Sequence, residues 1–441
     1  MSGKKRRAHV IGAGVSGLTV GHELARRGFD VVVLEKLSQV GGLARTFRYG
    51  DFAFDIGPHR FHTDKPHVGD YIKSVLGDEG TTIERHSSVY LFGRYHLWPL
   101  RPKSLLKLPK SALIRCFLDL FRRPKVTTER FDDYIKSKYG RTLYEIFFHD
   151  YTVKYCWTDP AKLHATWASA SIDRAIIDKR AKMNTLWDTL KVTLLPSPVT
   201  TEFVYPKHGV DVFSKKLEAG IKSLGGRVVC DVQDVELTTA KNRVQSISYD
   251  GERDDVEVLI WTAPITLLAD KLGIMRPDLH YLSLVAFNIE IDHKVGLNDQ
   301  WIYFPSKELT LTRASFPENF SPHNVPEGKS GICVEITSRG PADMEYAKSK
   351  RDNIVNDLEN VGLCNRGSIL DIHTERVDNT YPLYELGYMT QRKQFKDALK
   401  SFVNVHLAGR TGLFWYNNMD NSIEQALDLA DEIAPKAAEQ S

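Results

Sequence analysis

The chain has 441 residues, a length that predicts at least two packed units rather than one small module. Apolar residues make up 42% and charged residues 26%, values that exclude disordered, collagen-like and coiled-coil proteins. A net charge of +3 over this length is too weak to indicate a nucleic-acid partner.

Cysteine usage and hydropathy narrow the class of protein further. The five cysteines are scattered and form no Cys-x-x-Cys pair, so we expect reduced thiols, no bound metal and no disulfide framework. The basic residues at the start are not followed by a cleavage-site pattern, and no run of 18 apolar residues could span a membrane. These features predict a cytoplasmic protein, and they carry no information on its oligomeric state.

The first elements in the chain predict a βαβ unit. An apolar strand at 9–11 leads into a glycine turn, a helix runs from there to about Arg27, where Gly28 ends it, and a second strand covers Val31–Leu34. Parallel pairing with a right-handed crossover places the glycine turn at the carboxyl end of the first strand.

The middle of the chain predicts inserts into this unit. Helical periodicity from about Tyr95 to Trp187 indicates a mostly helical segment. Strand patterns return at 226–235, 243–249, 256–262, 285–291, 301–304, 308–312, 332–337, 369–377 and 403–408, with helices at 212–224 and from near Ser422.

We therefore predict an α/β fold with three parts. A discontinuous Rossmann-type dinucleotide-binding domain comprises 1–99, 187–280 and 391–441. A helical insert domain covers 100–186, and an antiparallel β-sheet substrate domain covers 281–390. We expect the two inserts to close over a ligand that the first domain holds.

A glycine motif carries the first functional signal. Gly12-x-Gly14-x-x-Gly17 follows the first strand and opens the helix, and Glu35 ends the second strand. Gly12 allows the turn, Gly14 lets the backbone approach a pyrophosphate, and Gly17 lets helix and strand pack. An acidic residue at the position of Glu35 can reach a ribose hydroxyl. A glycine turn that binds no ligand is the alternative.

The residues after Glu35 resemble those of a known flavoprotein group. Lys36 and Gly41-Gly42-Leu43-Ala44-Arg45 resemble the FAD-binding pattern of the amine oxidase and UDP-galactopyranose mutase group. The segments 225–232, 261–264, 407–410 and 419–424 fit the same resemblance, which makes the first domain an FAD-binding one. Together the motifs imply FAD contacts for Gly12, Gly14, Ser16, Gly17, Glu35, Lys36, Gly42, Leu43, Ala44, Arg45, Pro58, His59, Val232, Gly409, Arg410, Met419, Asn421 and Ser422.

The closing segment also has a physical reason to lie near a flavin. Asn421 or Ser422 can cap the last helix, whose N-terminal partial positive charge would favour an anionic reduced flavin. An ordinary capped terminal helix is the alternative.

Further segments resemble the mutase branch of this group. Residues 56–63, with Pro58 and His59, resemble the stretch that lies against the flavin ring, and His62 fits a packing role. The resemblance implies substrate contacts for the uridine-side Trp157, for the diphosphate-binding Arg313, Tyr381 and Tyr416, and for Arg174 and Asn418. The implied catalytic residues are His59, Arg313, Tyr381 and Tyr416.

Three departures from the mutase pattern concern the substrate. Ser171 stands where mutases carry a second arginine, so Arg174 is the candidate replacement. One extra residue precedes Trp157, and Asn418 replaces an acidic residue. The identity of the sugar therefore stays open, whereas the flavin-binding pattern is unaffected.

The resemblance implies a redox-neutral isomerase. Such an FAD-dependent mutase interconverts the pyranose and furanose forms of a UDP- or dTDP-sugar through a reduced-flavin N5-sugar adduct, for polysaccharide or glycoconjugate biosynthesis. Reduced FAD would be the active form, with NADH and NADPH as candidate reductants. The alternatives are an FAD-dependent oxidase or desaturase of the amine oxidase and protoporphyrinogen oxidase type, and a flavin-binding assembly component without activity.

Residues 103–123 combine basic with large apolar residues. This pattern predicts either a helix that lies on an anionic membrane surface or an ordinary helix with one face on the core. Arg94, His96 and Arg101 nearby are candidates for lining an anionic substrate cleft.

Overall fold

The computed structural model describes residues 5–98, 108–122, 128–171, 202–340 and 344–435. Arg174 and Arg101 lie outside the described residues, as do parts of the predicted helical insert and of the segment 103–123.

The strands are short in the first half of the chain and longer in the second. In chain order they are Arg7–Ile11 (β1), Asp30–Leu34 (β2), Thr46–Tyr49 (β3), Phe52–Asp55 (β4), Gly80–Glu84 (β5), Ser87–Leu91 (β6), Arg94–Leu97 (β7), Glu202–Pro206 (β8), Arg227–Val229 (β9), Glu236–Ala240 (β10), Arg243–Tyr249 (β11), Glu252–Asp255 (β12), Val258–Trp261 (β13), His280–Ile291 (β14), Trp301–Tyr303 (β15), Arg313–Ser315 (β16), Ser330–Arg339 (β17), Ile369–Leu383 (β18) and Val405–Leu407 (β19).

Several of the helices lie in one run between β7 and β8. In chain order the α-helices are Val15–Arg26 (α1), Pro66–Leu76 (α2), Lys110–Phe121 (α3), Phe131–Tyr139 (α4), Arg141–Leu143 (α5), Asp150–Cys156 (α6), Thr166–Ser171 (α7), Asp211–Ser223 (α8), Ile265–Leu272 (α9), Met344–Asn360 (α10), Tyr388–Leu399 (α11), Gly409–Gly412 (α12) and Met419–Ile433 (α13). A π-helix at Tyr144–His149 joins α5 to α6.

A five-stranded parallel sheet forms one layer, in the order β19-β13-β1-β2-β9. Val10 of β1 and Val32 of β2 are fully buried, as expected for parallel strands that are covered on both faces. Helix α1 packs against α8 and α13. The predicted α/β fold is confirmed, and the glycine turn lies at the carboxyl end of β1 as expected.

A seven-stranded sheet forms the second layer, in the order β18-β14-β17-β16-β15-β6-β7. Its neighbouring strands are antiparallel except β15 and β6. Alternate residues of β14 enter different core clusters: Leu284 and Ala286 face one cluster, whereas Val285 and Phe287 face the other with α10. This sheet therefore has one outer face under α10 and one face turned towards the rest of the molecule.

Residues 87–97 differ from the prediction. The sequence assigned them to the first domain and indicated helix from about Tyr95, but they form β6 and β7 at the edge of the seven-stranded sheet. The reason is tertiary, because β6 pairs in register with β15, more than 200 residues away.

The segment 308–312 is a loop rather than the predicted strand, and β16 begins only at Arg313. Lys154 of α6 explains the difference. Four backbone carbonyl oxygens, those of Phe304, Ser306, Leu309 and Leu311, lie 2.7, 2.8, 3.0 and 2.9 Å from its Nζ and share its three N–H groups. Carbonyl groups that converge on one cation cannot pair with a neighbouring strand.

Helix α3 exposes its apolar side. Ile114, Phe117, Leu118 and Phe121 are 61%, 60%, 43% and 65% exposed, and their spacing places them on one side of the helix. The second alternative for this segment, an ordinary helix with its apolar face on the core, is therefore wrong for α3. Among the described residues, no helix combines the length and the apolar character needed to cross a membrane.

Candidate active site

The glycine turn after β1 brings two glycine segments together. Gly14 forms a bridge with Gly41, and the Gly41 amide donates to the Ala13 carbonyl at 2.8 Å. A Cβ at Gly17 would lie 2.0 Å from the Gly12 carbonyl oxygen, so only glycine permits this approach of helix and turn. A Cβ at Gly14 would meet only the Gly42 Cα, at 3.8 Å. The turn therefore leaves open space beside the first turn of α1.

The acidic residue at the end of β2 lies against this turn. Glu35 is buried, and its Oε2 accepts a hydrogen bond of 2.6 Å from the Ala13 amide. Val232, whose amide donates to the Glu35 carbonyl at 2.9 Å, lies beside it. Lys36, the next residue, is exposed. Glu35, the predicted ribose contact, and Val232 thus lie together at the carboxyl end of the parallel sheet.

Arg45 closes the second glycine segment. Its Nε donates to the Gly42 carbonyl at 2.7 Å, and its guanidinium lies 5.3 Å from the Phe47 ring centre. Burial lowers the pKa of Arg45, although the Glu35 charge acts in the opposite direction. Ala44 is buried in the same turn, and Leu43 is partly buried against the core.

His59 lies in the loop after β4, and Pro58 precedes it with partial exposure. Desolvation lowers the pKa of His59 to about 3, with further lowering by the charges of Arg410 and Arg313. Its Nδ1 is buried and has no hydrogen-bond partner among the described residues. The imidazole is therefore neutral and has an unused polar atom.

The closing segment approaches the glycine turn from the other side. Gly409 has a φ of +79°, and a Cβ there would lie 3.0 Å from Ser16 Oγ. The Nδ2 of Asn417, a residue that the sequence did not single out, is buried without a hydrogen-bond partner among the described residues. These groups lie in the segment just before the first residue of α13, so the N-terminus of this last helix faces the glycine turn.

The predicted caps of α13 are wrong. The helix begins at Met419 and its N-cap position is Asn418, whose side chain makes no capping bond. Asn421 Nδ2 donates to Asp420 Oδ1 at 3.0 Å, and Ser422 Oγ donates to Asn417 Oδ1 at 3.2 Å. Both residues lie one turn too late to cap the helix, because the strand and loop before it end earlier than the hydropathy pattern indicates.

Tyr381 and Tyr416 form the centre of an aromatic cluster. Their ring centres are 5.3 Å apart in an edge-to-face arrangement. The guanidinium of Arg410 lies over both rings, at 5.4 and 5.3 Å, and donates to the backbone carbonyls of Thr380 and Asn417. Trp167 stacks on Tyr416 at 5.3 Å, and Tyr155 lies 5.5 Å from Tyr381.

Arg313 faces this cluster from β16. Its Nε and Nη2 donate to the two carboxylate oxygens of Glu335, each at 2.6 Å. Desolvation opposes the charge on Arg313, but the Glu335 carboxylate outweighs it and raises the pKa of Arg313. A Cβ at Gly57 would lie 2.4 Å from Glu335 Oε1, so the loop that carries His59 packs directly on this ion pair.

A cavity of about 110 Å³ opens between these groups. Its polar lining residues are Arg313, Thr152, Tyr151, Tyr155, Tyr303 and Tyr416. The remaining lining residues are Val89, Trp98, Phe147, Phe148, Cys156, Trp167 and Pro305. The site thus combines buried cations, tyrosine hydroxyls and a largely aromatic wall.

The sequence matches a family model described as flavin containing amine oxidoreductase over residues 15–434. The chain belongs to this family. It is 44% identical to the UDP-galactopyranose mutase of Mycoplasma pneumoniae, over 96% of this chain and 95% of the relative. It is 22% identical to the probable UDP-galactopyranose mutase of Klebsiella pneumoniae, over 98% and 95%. The protein is therefore a UDP-galactopyranose mutase-like flavoprotein.

Solved structures show the same fold. A crystal structure of reduced UDP-galactopyranose mutase matches with a TM-score of 0.81 at 20% identity, over 99% of this chain and 97% of that one. A putative protoporphyrinogen oxidase from Exiguobacterium sp. 255-15 matches with a TM-score of 0.75 at 14% identity, over 98% and 99%.

The residues of this flavoprotein fit a flavin dinucleotide. The open space at Gly14 suits a pyrophosphate next to a helix N-terminus. The unpartnered Nδ1 of His59 and Nδ2 of Asn417 are buried polar atoms that a bound ring system with several acceptors and donors would satisfy.

The structure brings three of the six predicted substrate residues of this flavoprotein together. Arg313 and Tyr416 line the cavity and Tyr381 packs against Tyr416, whereas Asn418 is exposed at the start of α13. Trp157 is 44% exposed, does not line the cavity and donates its Nε1 hydrogen to the Thr337 carbonyl at 2.8 Å.

Some lining residues of the cavity were missed by the sequence analysis. Tyr151 and Tyr155 lie on one side of α6 at a spacing of four residues, a helical pattern that indicates a shared face. Trp167 and Glu335 gave no such signal, because their positions depend on contacts with residues far away in the chain.

Proposed function

We propose that this protein interconverts the pyranose and furanose forms of a UDP- or dTDP-sugar as a reduced-flavin-dependent mutase. One observation carries the proposal: Arg313 and Tyr416 line the cavity, and Tyr381 packs against Tyr416 with the Arg410 guanidinium over both rings. The charges of Arg313 and Arg410 both act on His59. The similarity to mutases over nearly the whole chain supports the same assignment.

The arginines and tyrosines would hold the diphosphate. Glu335 occupies Nε and Nη2 of Arg313 and fixes the plane of the guanidinium, so its other N–H groups can donate to the ligand. Burial raises the pKa of Tyr416, which keeps its hydroxyl protonated and able to donate. Donors that are already ordered hold a diphosphate at little entropic cost while its bond to the sugar is broken and remade.

Gly12, Gly14, Ser16, Glu35, Arg45 and Gly409 would hold the cofactor, with His59 and the start of α13 beside its ring. When bound, reduced FAD supplies the nucleophile for the anomeric carbon, so the reaction has no net redox change. His59 stays neutral at this position and can hydrogen-bond through Nδ1 without adding charge. The aromatic wall limits the access of water to the reacting carbon.

The direct test uses the protein reduced with dithionite under anaerobic conditions. We expect UDP-galactofuranose, or another UDP- or dTDP-furanose in a panel, to be converted to its pyranose form, with no conversion by the oxidised protein. Tyr381→Phe and Tyr416→Phe should lower the rate about ten- to a hundredfold. Tyr90→Phe is the matched control, because Tyr90 packs against the outer core cluster of the same sheet.

One observation favours a second candidate, an oxidase or desaturase. The cavity lining includes the apolar residues Val89, Phe147, Phe148 and Pro305, which would suit an apolar substrate. Hydrogen peroxide formation with an amine or polyene substrate, together with no conversion of any sugar nucleotide in the panel, would overturn the mutase assignment in favour of this one.

We also propose that α3 contacts an anionic membrane surface. Its four exposed apolar side chains lie on a helix that begins at Lys110 and also carries Arg115, with Arg122 directly after it. Apolar residues that insert between lipid headgroups and cations that meet lipid phosphates together favour such a surface.

A further inference from the structure

The guanidinium groups of Arg60 and Arg85 both lie near the ring of Trp301. Neither arginine is among the residues assigned to the diphosphate. Their guanidinium carbons lie 4.4 and 5.1 Å from the ring centre of Trp301, which is only 1% exposed. Arg60 follows His59 directly in the chain, and Arg85 lies just before β6. Both side chains are partly exposed to solvent, so the pair is accessible.

The two guanidinium groups lack a counterion among the described residues. Neither forms an ion pair with a carboxylate of the described residues, and Arg85 uses only its Nε, towards Ser87 Oγ at 3.3 Å. Desolvation lowers the pKa of both, and for Arg60, whose pKa falls to about 9, the charge of Arg85 is the next cause. Arg313 also repels Arg60, whereas Tyr303 and Asp420 act in the opposite direction. Two close, desolvated and unpaired cations are unfavourable unless an anion joins them.

The sheet register places this pair next to the cavity. On β15, Trp301 and Tyr303 are two residues apart and point to the same face. Tyr303 pairs with Arg313 of β16 and with Val89 of β6, which all line the cavity, whereas Trp301 pairs with Ser315 and Ser87. Trp301, the ring that both arginines contact, thus lies about 7 Å along the strands from the row that carries Arg313.

We propose that Arg60 and Arg85 form a second anion subsite, which binds an oxyanion, a carboxylate or a phosphate, carried by a nucleotide ligand of the same site. Two planar guanidinium groups match the oxygens of either group through paired hydrogen bonds. The inference rests on the proposed function for the carrier, which is either a sugar nucleotide with an acidic sugar or a phosphorylated nicotinamide reductant.

Two matched ligand pairs distinguish these carriers. UDP-glucuronate differs from UDP-glucose by one carboxylate, and NADPH differs from NADH by one phosphate. Isothermal titration of the flavin-loaded protein, oxidised for the sugar nucleotides and reduced with dithionite for NADPH and NADH so that no hydride is transferred, should show the anionic member of one pair binding about ten- to a hundredfold tighter. Discrimination within the first pair assigns an acidic sugar, and discrimination within the second assigns the reductant.

Two variants and a control locate the effect. Arg60→Gln and Arg85→Gln should each remove most of the discrimination, whereas Arg366→Gln, at an exposed arginine that pairs with Asp352, should retain it. Orthophosphate should compete with the anionic ligand in the wild type only. Equal affinities within both pairs, or discrimination that survives in both variants, would overturn the subsite. The titration measures binding and not turnover. Its result can therefore be interpreted even if the mutase assay fails.

Discussion

At the scale of single residues, Arg313 serves two partners with one guanidinium. Two of its nitrogens are bound to Glu335 at 2.6 Å, and the same group lines the cavity. The pairing orients the planar group, which a lysine ammonium cannot reproduce because it has no plane. The position therefore requires arginine rather than a positive charge alone.

We expect Arg313→Lys to weaken UDP binding about tenfold or more, because a lysine cannot bond Glu335 on two sides and a diphosphate at the same time. Isothermal titration with UDP measures the change. Arg339→Lys is the control, since Arg339 pairs with Glu385 at the surface, and it should bind UDP as the wild type does. Equal UDP affinities in the two variants would contradict the role given to Arg313.

His59 predicts a pH dependence of stability. Its pKa is about 3 in the folded protein against an ordinary value of 6.5, so the unfolded chain takes up a proton below pH 6.5 that the folded chain does not. The free energy of unfolding therefore falls as the pH drops from about 6.5 towards 3, and this group has no effect above that range. Urea unfolding at pH 8 and pH 5 should show a larger loss for the wild type than for His59→Asn. A parallel loss in both proteins would refute the low pKa.

At the scale of elements, two glycines of the β1-turn-α1 unit have different roles: we expect Gly14 to matter for ligand binding and Gly17 for folding. Gly14 has an ordinary φ of −76° and space for a Cβ, whereas a Cβ at Gly17 would collide with the Gly12 carbonyl. We expect Gly14→Val to fold but to lose its flavin, because the added side chain occupies the place of the pyrophosphate. Gly17→Val should also lose stability. Flavin absorbance and circular dichroism separate the two effects, and stoichiometric FAD in purified Gly14→Val would disprove the phosphate-loop assignment.

The exposed apolar side of α3 predicts that the protein binds to lipid vesicles. The wild type should sediment with vesicles that contain phosphatidylglycerol, more weakly at high salt, and not with pure phosphatidylcholine. Replacing Phe117 and Phe121 by serine should abolish the effect, because these rings supply most of the exposed apolar area. Val403→Ser, which removes an exposed apolar residue elsewhere, is the control. Sedimentation that is unchanged by the phenylalanine substitutions would contradict the assignment.

At the scale of the whole molecule, the proposed cofactor site joins the two sheets. Gly14 and Glu35 extend from the parallel sheet, whereas His59 lies in a loop packed on Glu335 of the seven-stranded sheet. Arg410 and Tyr281 add hydrogen bonds between the closing segment and the second sheet.

Removal of FAD should therefore destabilise both layers together. We expect the flavin-free protein to unfold at a lower temperature, by the mass-action term that reaches about 2.7 kcal/mol when the ligand is at a hundredfold its Kd. Scanning calorimetry with and without added FAD measures the shift. A shift confined to one of two separate transitions would show that only one layer contributes to the site.

Features that depend on neighbouring residues in the chain could be predicted from the sequence. The βαβ unit, the glycine motif and Glu35 could be identified because turn, helix start and strand end lie within one short segment. Arg313, Tyr381 and Tyr416 followed from resemblance, and they do lie together.

Features that depend on the register of distant strands could not be predicted. Glu335 reaches Arg313 only because β16 pairs with β17, and Arg85 reaches Trp301 through the pairing of β6 with β15. Trp157 follows a helix end with a left-handed backbone, φ 55°, and this turn directs its indole to Thr337 rather than into the cavity. The spacing of these residues in the sequence does not indicate these contacts.

Lys154 has a consequence for how the cavity wall is held together. Four carbonyl oxygens around one positive centre reproduce the coordination that proteins give to a bare monovalent metal ion. Here the ammonium group is covalently tethered to α6, so dialysis cannot remove it, but burial lowers its pKa to about 7 and its charge therefore depends on pH. Lys154 thus joins the helix that supplies Tyr151 and Tyr155 to the segment that leads into Arg313, two parts of the cavity wall.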